Sequence, residues 1–168
     1  MQQRLFSYDD ICLQPKYSVL HSRDDADTSI DFLGHKFRLP VIPANMVDVI
    51  SWKLADSLQY NDYFYIMHRF DYANTKIPVS MKIGIDTKFL SISVGVEEVF
   101  YADVGAPTFI TIDIAHAHHV KMVERIKYLK LNFPKSKIIA GNVATADGYK
   151  FLCDSGADAV KVGIGGGS

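Results

Sequence analysis

The chain has 168 residues, 48% of them hydrophobic and 22% charged, an ordinary globular balance with enough apolar material for one substantial core. A formal net charge of −1 and an isoelectric point near 6.6 leave no electrostatic footprint for nucleic acid or for an anionic membrane surface. No apolar run approaches the ~20 residues of a membrane span, and the opening "MQQRLFSYDD" lacks the apolar core of a signal peptide, so a cytoplasmic protein with a small-molecule partner is expected.

Along the chain, an irregular N-terminal arm leads into a repeated unit, a short β-branched or aromatic run followed by a longer amphipathic stretch. Cys12 in the arm and Cys153 in a later helical pattern show neither CxxC spacing nor a disulfide framework, and both read as small core residues. The first expected strand is Leu39–Ala44 ("LPVIPA"). A helix capped by Ser51 follows in "SWKLADSLQYN", with Leu54, Ala55 and Leu58 on one face. Further strands are expected at Tyr63–Met67, Leu90–Gly95 and Phe109–Ile114, the last two separated only by "VEEVFYADVGAPT", room for a single short helix. "HHVKMVERIKYLKLNF" reads as a helix with Val120, Val123, Ile126 and Lys127 in phase. Lys137–Gly141 reads as a strand, "TADGYKFLCDSGA" as a helix from Thr145 to a C′ glycine at Gly156, and Ala159–Gly163 as the last strand.

Alternating short strands and helices imply parallel βαβ units. A doubly wound sheet gathers its ligand at one switch point, whereas a barrel gathers it at the carboxyl end of every strand. Here polar or glycine-bearing positions follow nearly every strand: Asn45-Met46, His68-Arg69, Gly95, Asp113, Asn142, then the terminal glycines. That distribution favours a (β/α)8 barrel within one domain over residues 1–168, of which about six units are present.

Four segments carry groups able to do chemistry. "GIGGGS" has Ser168 where a dinucleotide fingerprint has glycine at its sixth position and lacks the Lys of a P-loop, but its backbone can form an anion nest or offer carbonyls to a cation; a ligand-free tight turn is the alternative. Asp113 closes an apolar strand, where an unpaired carboxylate is costly, so it needs a protein partner or a ligand hydroxyl such as a ribose diol. His116, His118 and His119 lack the HExxH pattern of a zinc site and read as solvated residues at a helix start. Arg69 suits phosphate, a carboxylate or solvent, and Asn142 suits a base, a ribose or a plain turn.

In order along the chain, "YDDICLQP", "LPVIPANM", "YFYIMHRF", "SISVGV", "ITIDIAHAH", "IIAGNVAT" and "GADAVKVGIGGGS" resemble the IMP dehydrogenase/GMP reductase family. The chain looks most like a bacterial GMP reductase, because "MHRFDYANTKIP" runs on without the CBS-domain insertion usual in IMP dehydrogenases. An IMP dehydrogenase-like enzyme without that insertion, or an inactive nucleotide-binding module, are the alternatives. The resemblance implies a tetrameric (β/α)8 barrel that converts GMP to IMP and ammonia with NADPH through a cysteine thioimidate, in the presence of potassium.

Position by position, the resemblance places Asp113, Ile114 and Ala115 at the nicotinamide ribose and Gly163, Ile164 and Gly165 at the cofactor. It places Asn45, Met46 and Asn142 around the purine nucleotide, Ser168 at its phosphate, and the carbonyls of Gly165 and Gly167 on potassium. Arg69 stands where many family members have Lys, and since a guanidinium rarely yields its proton, an electrostatic role in ammonia departure is expected. The family's nucleophilic cysteine is expected two positions beyond Ser168, so it is not among these residues. "GIGGGS" for "GIGPGS", "AHAHH" for "AHGHS", an unusual "MVDV" and the short third crossover are the departures from the family pattern.

Overall fold

The computed structural model describes residues 10–70, 88–98 and 107–164. Its elements are a hairpin of β1 (Ile30–Phe32) and β2 (His35–Phe37), helix α1 (Trp52–Tyr60), strands β3 (Ser91–Val94) and β4 (Phe109–Asp113), helix α2 (Val120–Asn132), strand β5 (Lys137–Val143), helix α3 (Ala146–Asp154) and strand β6 (Ala159–Val162). Strands β3 to β6 form a parallel sheet in the order of the chain, β3-β4-β5-β6. Because parallel crossovers are right-handed, a sheet whose strands follow one another without reversal carries its helices on one side. That is the winding of an α/β barrel and not of a doubly wound sheet.

The two faces of the sheet have different chemistry. Ile92, Val94, Ile110, Ile112, Ile138 and Ala140 are fully buried and share one core with Met122, Ile126 and Leu129 of α2 and Leu152 of α3. The alternate positions, Ser91, Ser93, Phe109, Thr111, Asp113, Gly141 and Lys161, lie in register on the opposite face, the lumen side of a barrel. At the amino ends of the strands this face is closed by the hairpin. Phe37, 2% exposed, packs its ring against Phe64, Phe89 and Phe109 with centroids 5.2, 5.5 and 6.4 Å away. The carboxyl ends are left open.

The hairpin is absent from the sequence expectation, which has only an irregular arm there. Its two-residue turn is Leu33-Gly34, both at positive φ (51° and 87°), and Leu is not a residue that announces such a turn. Leu39–Ala44 is not a strand: Pro40 and Pro43 have no N–H to give to a ladder. Of Tyr63–Met67, Phe64 to Met67 are buried, but the segment joins the sheet at a single parallel bridge, Met67 to Ile92, flanked by hydrogen bonds of 3.1 and 3.0 Å.

The helix starts agree with expectation. Ser51 Oγ accepts from the Leu54 N–H, Thr145 Oγ1 accepts from the Gly148 N–H, and Gly156 takes φ +98° after α3. Two inward faces differ. In α1 the inward stripe is Trp52, Ala55, Leu58 and Gln59, while Leu54 is exposed. In α2 it is Met122, Arg125, Ile126 and Leu129, with Val120 and Lys127 exposed, because the aliphatic stem of an arginine can be buried while its head finds a partner. Cys12 and Cys153 are both exposed, against the expectation of core residues: Cys12 sits on the unpacked arm and Cys153 on the outer side of α3. Most of "VEEVFYADVGAPT" lies outside the described residues. No described helix is long and apolar enough to cross a membrane.

Candidate functional site

The open end of the sheet holds a cavity of about 580 Å3. Its walls come from the segment after the hairpin (Ile42 to Met46), from Ile66, Arg69 and Phe70, from Asp113, Ile114 and Ala115 at the end of β4, from Asn142 and Lys161, and from Ile164. Asn45, Met46, Arg69, Asp113, Ile114, Ala115, Asn142 and Ile164, singled out in the sequence, thus meet in one place although they span more than a hundred positions. Gly163 is exposed and does not line the cavity, but its carbonyl accepts a hydrogen bond from Asn142 Nδ2 at 2.9 Å. Gly165, Gly167 and Ser168 lie outside the described residues.

One row of the sheet explains the polar centre of the site. Asp113, Gly141 and Lys161 are register partners on adjacent strands and point to the same side. Lys161 reaches across the middle strand, donating from Nζ to Asp113 Oδ1 at 2.7 Å and to Asn45 Oδ1 at 2.8 Å. The middle position must be glycine for this. A Cβ on Gly141 would stand 2.4 Å from Lys161 Cβ and 2.8 Å from its carbonyl oxygen. The side chains of Lys161 and Asp113 are 25% and 28% exposed, enough to meet a ligand and little enough that neither charge is left to bulk water.

Asn142 owes its position to a bulge. Gly141 pairs with Lys161 and Val143 with Val162, so Asn142 is the extra residue on β5, and such an insertion at a strand end turns a side chain toward a site. Its backbone is held by Ile114: Asn142 N–H donates to the Ile114 carbonyl at 2.8 Å. Arg69, 31% exposed, is ion-paired with Glu98 and lies 5.0 Å over the Phe70 ring. Lys161 and Glu98 were not singled out in the sequence. For Lys161 the cue was available, since a lysine inside the apolar run "AVKV" carries the same burial cost that drew attention to Asp113.

The histidines take no part in this wall. His116, His118 and His119 are exposed, and His119 caps α2, its Nδ1 accepting from the Lys121 N–H at 3.2 Å. Among the described residues no three His, Cys, Asp or Glu side chains converge as metal ligands. Neither cysteine lines the cavity.

Chemically, the wall offers a carboxylate held by an ammonium group, an amide beside a backbone turn, an arginine oriented by a carboxylate, and apolar surface from Ile42, Met46, Ile66 and Phe70. Such a mixture of a few convergent polar groups on an apolar lining is that of a small-molecule site.

Residues 93–168 match the family model described as the IMP dehydrogenase/GMP reductase domain. The chain is 45% identical to the GMP reductase of Staphylococcus aureus (strain Newman) over 96% of its own length and 52% of the relative's. Its identity to the GMP reductase of Bacillus subtilis (strain 168) is also 45%, over 97% of the chain and 52% of that relative. Among solved structures, the inosine 5′-monophosphate dehydrogenase of Legionella pneumophila superposes with a TM-score of 0.75 and 30% identity over 96% of this chain and 51% of that one. The chain therefore spans about half the length of the curated relatives it matches.

Proposed function

We propose that the chain is a member of the IMP dehydrogenase/GMP reductase family and forms the nucleotide- and cofactor-binding part of a GMP reductase-like oxidoreductase in the cytoplasm. The observation that carries this is the convergence of Asn45, Asp113, Asn142 and Lys161, from four separate segments, on one cavity at the carboxyl ends of the strands. In this reading GMP loses its 2-amino group as ammonia and a hydride takes its place at C2, giving IMP, by way of a thioimidate on a cysteine other than Cys12 and Cys153, neither of which lines the cavity.

The described residues suit a nicotinamide cofactor. Asp113, with one carboxylate oxygen taken by Lys161, keeps the other to accept from a ribose diol, and the exposed backbone of Ala115 lies beside it. Bound there, NADPH would supply the hydride. Asn45 and Asn142 would orient the purine nucleotide, Met46 would cover its base, and Arg69 would stabilise charge as ammonia departs without itself giving up a proton. A phosphate contact from Ser168, potassium on the carbonyls of Gly165 and Gly167, further cofactor contacts from Gly163, Ile164 and Gly165, assembly as a homotetramer, and a single barrel domain over 1–168 complete the proposal.

Calorimetric titration of the chain with GMP tests the site, and saturable binding is expected; no binding of GMP or IMP would overturn a nucleotide pocket. Joined to the remaining strands of such a barrel, the chain should oxidise NADPH when GMP is added and release ammonia. NADH formation from NAD and IMP, with no response to GMP, would reverse the assigned direction.

A further inference from the structure

We propose that Glu98 is a positioning residue, which fixes the Arg69 guanidinium in one orientation on the cavity wall so that a nucleotide meets a directed donor instead of a roaming cation. Its bearing on the ligand rests on the nucleotide-binding function proposed above; the clamp itself does not.

Three contacts hold Glu98 in place. One carboxylate oxygen, Oε1, takes Arg69 Nη1, and the other, Oε2, accepts the backbone N–H of Gly95 at 2.7 Å, so the carboxylate cannot rotate without losing a partner. The absence of a side chain at Gly95 makes the room, since a Cβ there would lie 2.9 Å from Glu98 Cδ and 3.2 Å from Arg69 Nη1. From the other side, Arg125 Nη2 donates to the Glu98 carbonyl at 2.9 Å, and Arg125 is itself only 8% exposed. The Glu98 side chain is 15% exposed, less than the 31% of the arginine it holds.

A fixed guanidinium differs from a free one in what it offers a ligand. Its fork is planar, so holding one edge on a carboxylate sets the direction of the N–H groups that remain. Pairing also offsets its charge at a distance while its free N–H groups still act locally: Arg69 with Glu98 and Lys161 with Asp113 make this wall two matched pairs. Such a wall selects by hydrogen-bond direction more than by net charge.

The test is a double-mutant cycle on GMP binding by calorimetry with Glu98→Gln, Arg69→Met and the double variant. Gln keeps a neutral oxygen for the Gly95 N–H and so preserves the turn while removing the ion pair. Glu98→Gln should weaken GMP binding roughly three- to tenfold in the parent background and leave it unchanged in the Arg69→Met background. An equal loss in both backgrounds would overturn the proposal, because Glu98 would then be acting without Arg69.

Arginine side-chain NMR supplies a readout independent of the ligand. The Arg69 Nη signals, assigned by their loss in Arg69→Met, should be resolved in the parent, averaged in Glu98→Gln and restored in Glu98→Asp. Unchanged signals in Glu98→Gln would overturn the clamp. If GMP bound none of these proteins the nucleotide reading would fail, and the Nη signals alone would decide the clamp.

Discussion

The smallest decisive feature of the site is a missing methyl group. Lys161 can reach Asp113 only because Gly141, between them in the same row, has no Cβ. Gly141→Ala should therefore do two things at once: force the backbone of β5 away from β6 at a cost of about 1–3 kcal/mol, and break the Lys161–Asp113 contact. Lys161→Met is the comparison, since it removes the ammonium and keeps the stem, leaving the Asp113 carboxylate without its counter-charge. Urea unfolding should show a loss in both, that of Lys161→Met arising from the part-buried Asp113 carboxylate left without its counter-charge. GMP titration should show weakened binding in both. Unimpaired binding in Gly141→Ala would mean that the row does not organise the site. At this scale the sequence was informative wherever a polar residue ended an apolar strand, as with Asp113 and Asn142. It was silent on which partner such a residue meets, because Lys161 and Asp113 are 48 positions apart and only strand register brings them together.

Among the elements, periodicity located β3 to β6 and all three helices to within a few residues, because each is a burial pattern that local sequence must express. What it misjudged depends on neighbours. Leu39–Ala44 has the apolar composition of a strand, but its prolines prevent a ladder. The hairpin was missed for the opposite reason, since its strands are three residues each and its Leu-Gly turn carries no Asn-Gly signal. Yet the hairpin closes the lumen. Phe37 contributes a ring packed on three others and is buried to 2%, so Phe37→Ala should cost about 3–5 kcal/mol. Denaturant unfolding with an unchanged slope checks it. A loss below about 1 kcal/mol would show that the hairpin is a detachable flap and not a plug.

For the whole molecule, a consecutive strand order separates two ends with different tasks: an aromatic layer at the amino ends of the strands, and a polar wall at the carboxyl ends. The even spread of polar residues after successive strands foretold this winding, since a barrel needs contributions from many strand ends; the closing of the other end depends on side chains distant in sequence. The aromatic layer also sets how the fold responds to alkali. Tyr65, 1% exposed and with its ring 5.2 Å from that of Phe89, has its hydroxyl pushed up to about 12 by burial, which penalises the phenolate. In the unfolded chain the same group titrates near 10. Between these values the unfolded state has released a proton that the folded state still holds, so stability is complete below pH ~10 and falls as pH rises towards ~12. The full loss is up to roughly 3 kcal/mol from this one group. Tyr65→Phe cannot ionise, so across that window its unfolding free energy should fall less steeply than that of the parent. Since other tyrosines and lysines titrate there in both proteins, the difference between the two curves isolates Tyr65. Parallel curves from pH 9 to 12 would show that Tyr65 ionises freely and that the amino-end layer admits water.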